Sequence, residues 1–350
     1  MRLLLLPALL LGSLVASAQD LMDPKNIDKT FTISGGGTFS KAKMMSKMDK
    51  LALAQTSIYF KTATTREIVE HERGAFGRRK TDGGSVAGRL TAWLETTDGE
   101  LTESDFQEVA DHFYTYFSSK LAQAGVQPAN WDAIAGSGFY KEGSDLEDIR
   151  KDLGQMKRKG QIYTVVNANK GTTMWKFNIL GGINPGFAFG KGKRAASFSG
   201  DLDAPVMYSH IVVDFADIVL DGEVKTATKN ESNMFYTKVT KTKKFKMNAE
   251  VGARMKVSSN VGMTYFMNDK GGAEAMTITR DIPSDMPFAS AVEADPEKQK
   301  LRAKDNIFAK DFNMTPFVVV TTKDKYKAAA KNALETYANM LVAKIQLSKK

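Results

Sequence analysis

Hydrophobic positions recur along this chain in two rhythms, and the rhythms divide it into strands and helices. Alternation is strictest near residue 250. Met247, Ala249, Val251, Ala253, Met255 and Val257 face one way while Asn248, Glu250, Arg254 and Lys256 face the other, the pattern of a half-buried antiparallel strand. The run from Tyr208 to Val224 is mostly apolar and predicts a long strand, central in a sheet. Further strands are expected over 51–65, 86–94, 161–166, 174–180 and 317–320. A hairpin is expected from 261–267 and 273–280 about Asn268-Asp269-Lys270-Gly271-Gly272. Helical spacing is as clear elsewhere. Phe106, Val109, Ala110, Phe113, Phe117 and Leu121 follow a Thr102 and Asp105 capping pair and stop before Gly125. Leu146, Ile149, Leu153 and Met156 predict a second helix, and 193–202 a short one. Behind Asp324 as N-cap, Tyr326, Ala330, Ala333, Leu334, Tyr337, Met340, Leu341 and Ile345 form the stripe of a terminal helix. The segment 283–309 reads as a polar loop. The mixture predicts an α/β (α+β) fold: a mixed, largely antiparallel sheet with helices packed on it.

The first residues follow neither rhythm. Arg2 precedes an apolar run from Leu3 to Val15, and Ala16-Ser17-Ala18 then offers a small-x-small cleavage site. A spanning helix needs about 20 apolar residues, so the run reads as a signal peptide, 1–18, cleaved after Ala18. The expected location is periplasmic or secreted. No cysteine follows to take a lipid. Residues 19–50, with a glycine triplet and scattered lysines, read as a partly ordered leader segment, and 51–350 as a single α/β domain with a basic insertion near 223–247.

Composition narrows the chemistry. With 42% hydrophobic and 25% charged residues among 350, the chain is neither disordered, collagen-like nor a multi-span membrane protein. The absence of cysteine excludes disulfides, thiolate metal sites and a cysteine nucleophile. The three histidines, His71, His112 and His210, are scattered, which leaves no zinc or triad pattern. The formal charge of +9 falls to +8 when Arg2 leaves with the signal peptide.

Several motifs invite a chemical reading and fail on spacing. The loop Gly181 to Lys193 is rich in glycine and lysine, but a phosphate loop needs glycine where Pro185 stands and Ser or Thr where Gly192 stands. Asp214, Asp217 and Asp221 lie on one predicted strand, where an odd spacing turns Asp214 and Asp217 to opposite faces. Glu70-His71-Glu72 lacks a second histidine and reads as a solvated helix or loop. Ser137 has glycine neighbours without the nucleophile-elbow spacing. Trp93, Trp131 and Trp175 read as core or rim packing. No catalytic, cofactor-binding or metal-ligating residue is assigned. The lysine run is the exception: Lys238, Lys241, Lys243, Lys244 and Lys246 in a strand give a charged face, either a protected edge or a patch for an anionic surface such as phospholipid or polysaccharide. Export argues against nucleic acid as the partner.

The order of elements resembles a known family. The strand from Ser57 to Phe60, the helix ending LAQAGV, DLEDIRKDL, the unit LDAPVMYSHIVVDF, the strand MNAEVGARMKV and the terminal helix are together similar to the periplasmic domain of the curli secretion channel lipoprotein family and to the N-terminal domain of the Tol-Pal translocation protein. The resemblance implies an anticodon-binding-domain-like sheet with helices and an envelope setting without catalysis. It transfers no functional residue and no channel role, because the lysine run lacks the apolar alternation of a lipid-facing hairpin. The function expected is an exported, non-enzymatic binding or envelope-assembly module with an envelope or secreted protein partner. The alternatives are an exported carboxylate-dependent hydrolase using Asp214 or Asp217 with Glu223, and an anionic membrane-surface binder through the lysine strand.

Overall fold

The computed structural model describes residues 18–35, 44–73, 78, 83–138, 140, 154–158, 161–171, 197–232, 237–259, 263–270, 272–295 and 309–349. Fourteen strands among these form a single mixed sheet. Its main path runs β1 (Phe31–Gly35), β10 (Ala273–Ile278), β9 (Met263–Met267), β7 (Val206–Ser232), β2 (Lys50–His71), β3 (Ser85–Thr96), β14 (Phe317–Thr321) and β12 (Ala291–Ala294). Off this path, β8 (Thr237–Val257) pairs with β7 and with β11 (Ile282–Pro283), β6 (Gln161–Asn167) joins β2 to β5 (Gly154–Arg158), β13 (Ala309–Asn313) pairs with β3, and β4 (Gln127–Pro128) touches the start of β2. The expected fold class holds: most pairings are antiparallel, with β7 on β2 and β13 and β14 on β3 as parallel exceptions beside the short β4 contact.

Helices cover one face of this sheet. α3 (Glu103–Gln123) starts at a capping box in which the Thr102 hydroxyl accepts from Asp105 N–H while the Asp105 carboxylate accepts from Thr102 N–H. Its buried stripe of Phe106, Val109, Phe113, Phe117 and Leu121 is the one that the spacing marks. α5 (Lys323–Lys349) lies beside it and buries Tyr326, Leu334, Tyr337, Leu341 and Ile345 in the same core. Each large side chain so buried stabilises the fold by about 1.5–3 kcal/mol. Asp324 is not the N-cap. The Thr322 hydroxyl accepts from Lys325 N–H at 3.3 Å and its carbonyl from Tyr326 N–H at 3.0 Å, which leaves Asp324 in the first turn. A smaller core on the other face joins Ile134 of α4 (Trp131–Gly136), Tyr140 and Phe198 to Val206, Tyr208 and Tyr265.

The segment read as a partly ordered leader contributes most of α1 (Ala18–Leu21), α2 (Pro24–Thr30) and β1, and buries Ile27, Phe31, Met45 and Met48. Elsewhere the structure departs from the sequence reading in two ways. Met156, expected on a helix, lies in strand β5; the rest of that expected helix, 146–153, falls outside the described residues, as do the strand expected over 174–180, the Gly181 to Lys193 loop and Trp175. The segment read as a polar loop supplies strand β12 and buries Phe288, because β14 offers it a free edge. The short helix expected over 193–202 is present at 197–201.

Candidate functional site

The site begins where β7 leaves the sheet. β2 carries β7 on one edge from Ala52 to Phe60 and β6 on the other from Ser57 to Ala63. Ala63 pairs with both Ile162 of β6 and Trp93 of β3, so β3 takes up the edge that β7 has just left. β7 runs on with β8, from Val213 opposite Val257 to Ser232 opposite Thr237. The sheet therefore forks into two ribbons, β2–β3 and β7–β8. Register shifts mark the fork on both sides, between Lys61 and Ala63 and between Asp214 and Ala216. Such irregularities increase local twist.

Ionic contacts hold the two ribbons together. At the fork, Lys61 Nζ lies 2.5 Å from Asp214 Oδ2, with the side chains 9% and 6% exposed. Further out, Arg66 Nη1 donates to the Ile218 carbonyl at 2.8 Å. Beyond it the buried Glu72 carboxylate accepts from Thr226 Oγ1 at 2.6 Å, Lys243 Nζ at 2.9 Å and Gly84 N–H at 3.3 Å. Glycine permits the close approach: a Cβ on Gly222 would stand 3.0 Å from Val86 Cγ1, and one on Gly88 2.6 Å from Met247 Cε. Glu70-His71-Glu72 is therefore not a solvated helix or loop; Glu70 and His71 end β2 and Glu72 is a buried clasp between ribbons. A Glu72→Ala variant leaves Lys243 without its carboxylate and is expected to lose about 1–3 kcal/mol and to speed amide exchange over 223–247, read by mass spectrometry; unchanged exchange there contradicts the clasp.

The lysine strand does not form a single patch. β8 runs from Thr237 to Met247 without a register shift, so its side chains alternate between faces. Lys243 turns inward to Glu72, which places Lys241 on that same face and Lys244 and Lys246 on the other. Lys241, Lys244 and Lys246 are exposed. Lys244 is in register with Lys225 and Lys246 with Glu223, while Lys238 is in register with Glu231 and its side chain is outside the described residues.

The carboxylates do not converge. Asp214 is held by Lys61, and Asp217 by Lys256 together with Arg254 Nη1 at 4.0 Å. Lys256 also lies 2.7 Å from Asp281. Burial pushes the Asp281 carboxyl up, but hydrogen bonds from Lys256 and Ser259 outweigh it and hold the group below the usual carboxylate range. Glu223 pairs with Lys225 at 2.7 Å and Asp221 is exposed. Among the described residues no group of His, Cys, Asp and Glu is arranged to hold a metal ion. A cavity of about 360 Å³ opens at the first turn of α3, lined by Glu103, Ser104, Gln107, Asn167 and Lys170 among others.

A buried polar row on β2 was invisible in the sequence because it interrupts an apolar run. Gln55 Nε2 donates to Ser57 Oγ at 2.8 Å, Ser57 donates to Asn167 Oδ1 at 2.6 Å, and Tyr59 Oη lies 3.3 Å from His210 Nδ1. Full burial lowers the His210 pKa from 6.5 to about 3. The imidazole is thus neutral when folded, and the unfolded chain binds the extra proton. Its contribution to stability is fully present above pH 6.5 and falls as pH drops from there to about 3, by a tenfold loss in the folding constant per unit. A folded His210→Gln variant is expected to lose one proton from the slope of stability against pH over this window, measured by urea titration; an unchanged slope contradicts the assignment.

Among the described residues no helix is long and apolar enough to cross a membrane. No family model, no curated protein and no solved structure matches the chain.

Proposed function

We propose that this chain is an exported, non-enzymatic binding or envelope-assembly module, and that the β7–β8 ribbon is its gripping element. The observation that carries this reading is the pair of open ribbon edges. Past Val213, β7 has β8 as its strand partner, and among the described residues β8 between 237 and 254 has β7 alone. Among the described residues, long stretches of these two edges have no strand partner, and such backbone N–H and C=O groups are able to pair with another chain. The rival hydrolase reading has less support, since Asp214 and Asp217 each rest on a lysine and Glu223 on Lys225. The envelope setting implied by the resemblance to the curli secretion family fits the same reading.

The test compares the full protein with a variant in which 223–246 is replaced by Asn-Gly, joining Gly222 to its register partner Met247. The full protein is expected to recover a partner from the native envelope or secreted fraction, and the shortened one to lose it. Retention of every partner by the shortened variant, or turnover of a panel of esters, glycosides and phosphoesters by the full protein, contradicts the proposal. The exposed Lys241, Lys244 and Lys246 favour a second reading, attachment to an anionic membrane surface. It predicts liposome association that weakens as salt rises, since screening shortens the reach of exposed charges to about 8 Å at physiological ionic strength.

A further inference from the structure

We infer that the open edge of β8 takes up an extended acidic polypeptide segment as an added strand, its carboxylates set against Lys241, Lys244 and Lys246. This inference rests on the ribbon being the gripping element and names the chemistry of what it grips.

The edge comes first. β11 occupies it at Lys256 and Val257, and Ser284 N–H donates to the Met255 carbonyl. Between 237 and 254 no strand lies there among the described residues. A strand added at that edge forms its hydrogen bonds through the backbone, so its side chains set the selectivity.

Charge then selects the occupant. The stretch 241–246 contains Lys241, Lys243, Lys244 and Lys246 and no acid. Glu72 neutralises Lys243, while Glu223 pairs with Lys225, the residue in register with Lys244, and itself stands in register with Lys246. Edge lysines deter strands of like charge, and the same lysines select an acidic one.

Placement on both faces of the ribbon distinguishes a strand from a membrane. A flat anionic surface meets one face at a time, either Lys244 with Lys246 or Lys241. A strand added in the plane of the ribbon presents side chains to both faces and reaches all three. In an antiparallel partner, residues opposite Lys246, Lys244 and Lys241 fall at a first position, two residues later and five residues later, which makes the recognised pattern acid-x-acid-x-x-acid.

The test titrates the whole protein into a fluorescent ten-residue peptide of alternating Thr and Val with Glu at those three positions, read by anisotropy. Saturable binding is expected. It should weaken at least about tenfold when Lys replaces the three Glu residues, when alternate peptide amides are N-methylated, and when the protein carries Lys244→Glu with Lys246→Glu; tenfold corresponds to 1.4 kcal/mol. Both substituted lysines are exposed, and circular dichroism checks that the variant is folded. Equal binding of the N-methylated peptide reduces the effect to charge attraction and overturns strand addition. Binding to phosphatidylglycerol vesicles without binding to the peptide overturns it in favour of a membrane surface. If the peptide does not bind while the shortened ribbon still loses its partner, this inference falls and the gripping role stands; if neither effect appears, both fall.

Discussion

Replacing Asp214 by alanine is expected to destabilise the fold by about 3–5 kcal/mol, because it leaves the Lys61 ammonium buried without a counter-charge. The large effect follows from what is left behind rather than from the strength of the pair. Substituting both members at once, Lys61→Met with Asp214→Leu, removes the stranded charge, and the double variant is expected to match or exceed the parent in urea unfolding. A loss below about 1 kcal/mol in Asp214→Ala would mean that water reaches the pair. The location also matters. Lys61 and Asp214 are neighbours across β2 and β7 where pairing between those strands ends, so the pair sits at the fork itself.

Phe106→Ala is the second large effect, a loss of about 3–5 kcal/mol from the cavity and the lost contacts. The Phe106 ring lies 5.0 Å from Phe60 and 6.0 Å from Tyr326, centroid to centroid, and so joins α3 to β2 and α5 at a single point. Phe60 directly precedes Lys61, which means that the helical layer supports the strand at the fork. The control is Val219→Ala on the exposed face of the ribbon, expected to stay within about 0.5 kcal/mol in the same urea titration. If the two variants unfold alike, the core assignment is wrong.

The two long helices α3 and α5 were legible in the sequence because their buried stripes depend on local spacing, whereas Met156, expected on a helix by the same spacing, lies in β5. Phe106 to Leu121 and Tyr326 to Ile345 are buried as the periodicity requires, and the 247–257 alternation marks a true antiparallel strand. What stayed hidden depends on pairing at long range. Nothing near Glu72 in the sequence points to Lys243, its partner 171 residues away, and Lys61 reads as one polar residue in an apolar strand until Asp214 is brought beside it. The lysine strand was visible as composition, but its division between two faces emerged only with the register and the Glu72 contact. The end of α5 shows the same limit locally. Asp324 suits an N-cap by residue type, but β14 ends at Thr321 and the Thr322 hydroxyl takes the capping position.

On the proposed function, the β7–β8 ribbon carries a backbone edge free to accept another chain. Amide hydrogen exchange of the free protein, resolved along 237–254, tests it most directly. Alternate amides of β8, those facing away from β7, are expected to exchange within the first time points, while amides of β7 from Val206 to His210, paired on both edges, stay protected. Uniform protection along the whole of β8 in the free protein would contradict it, since the edge would then already be covered.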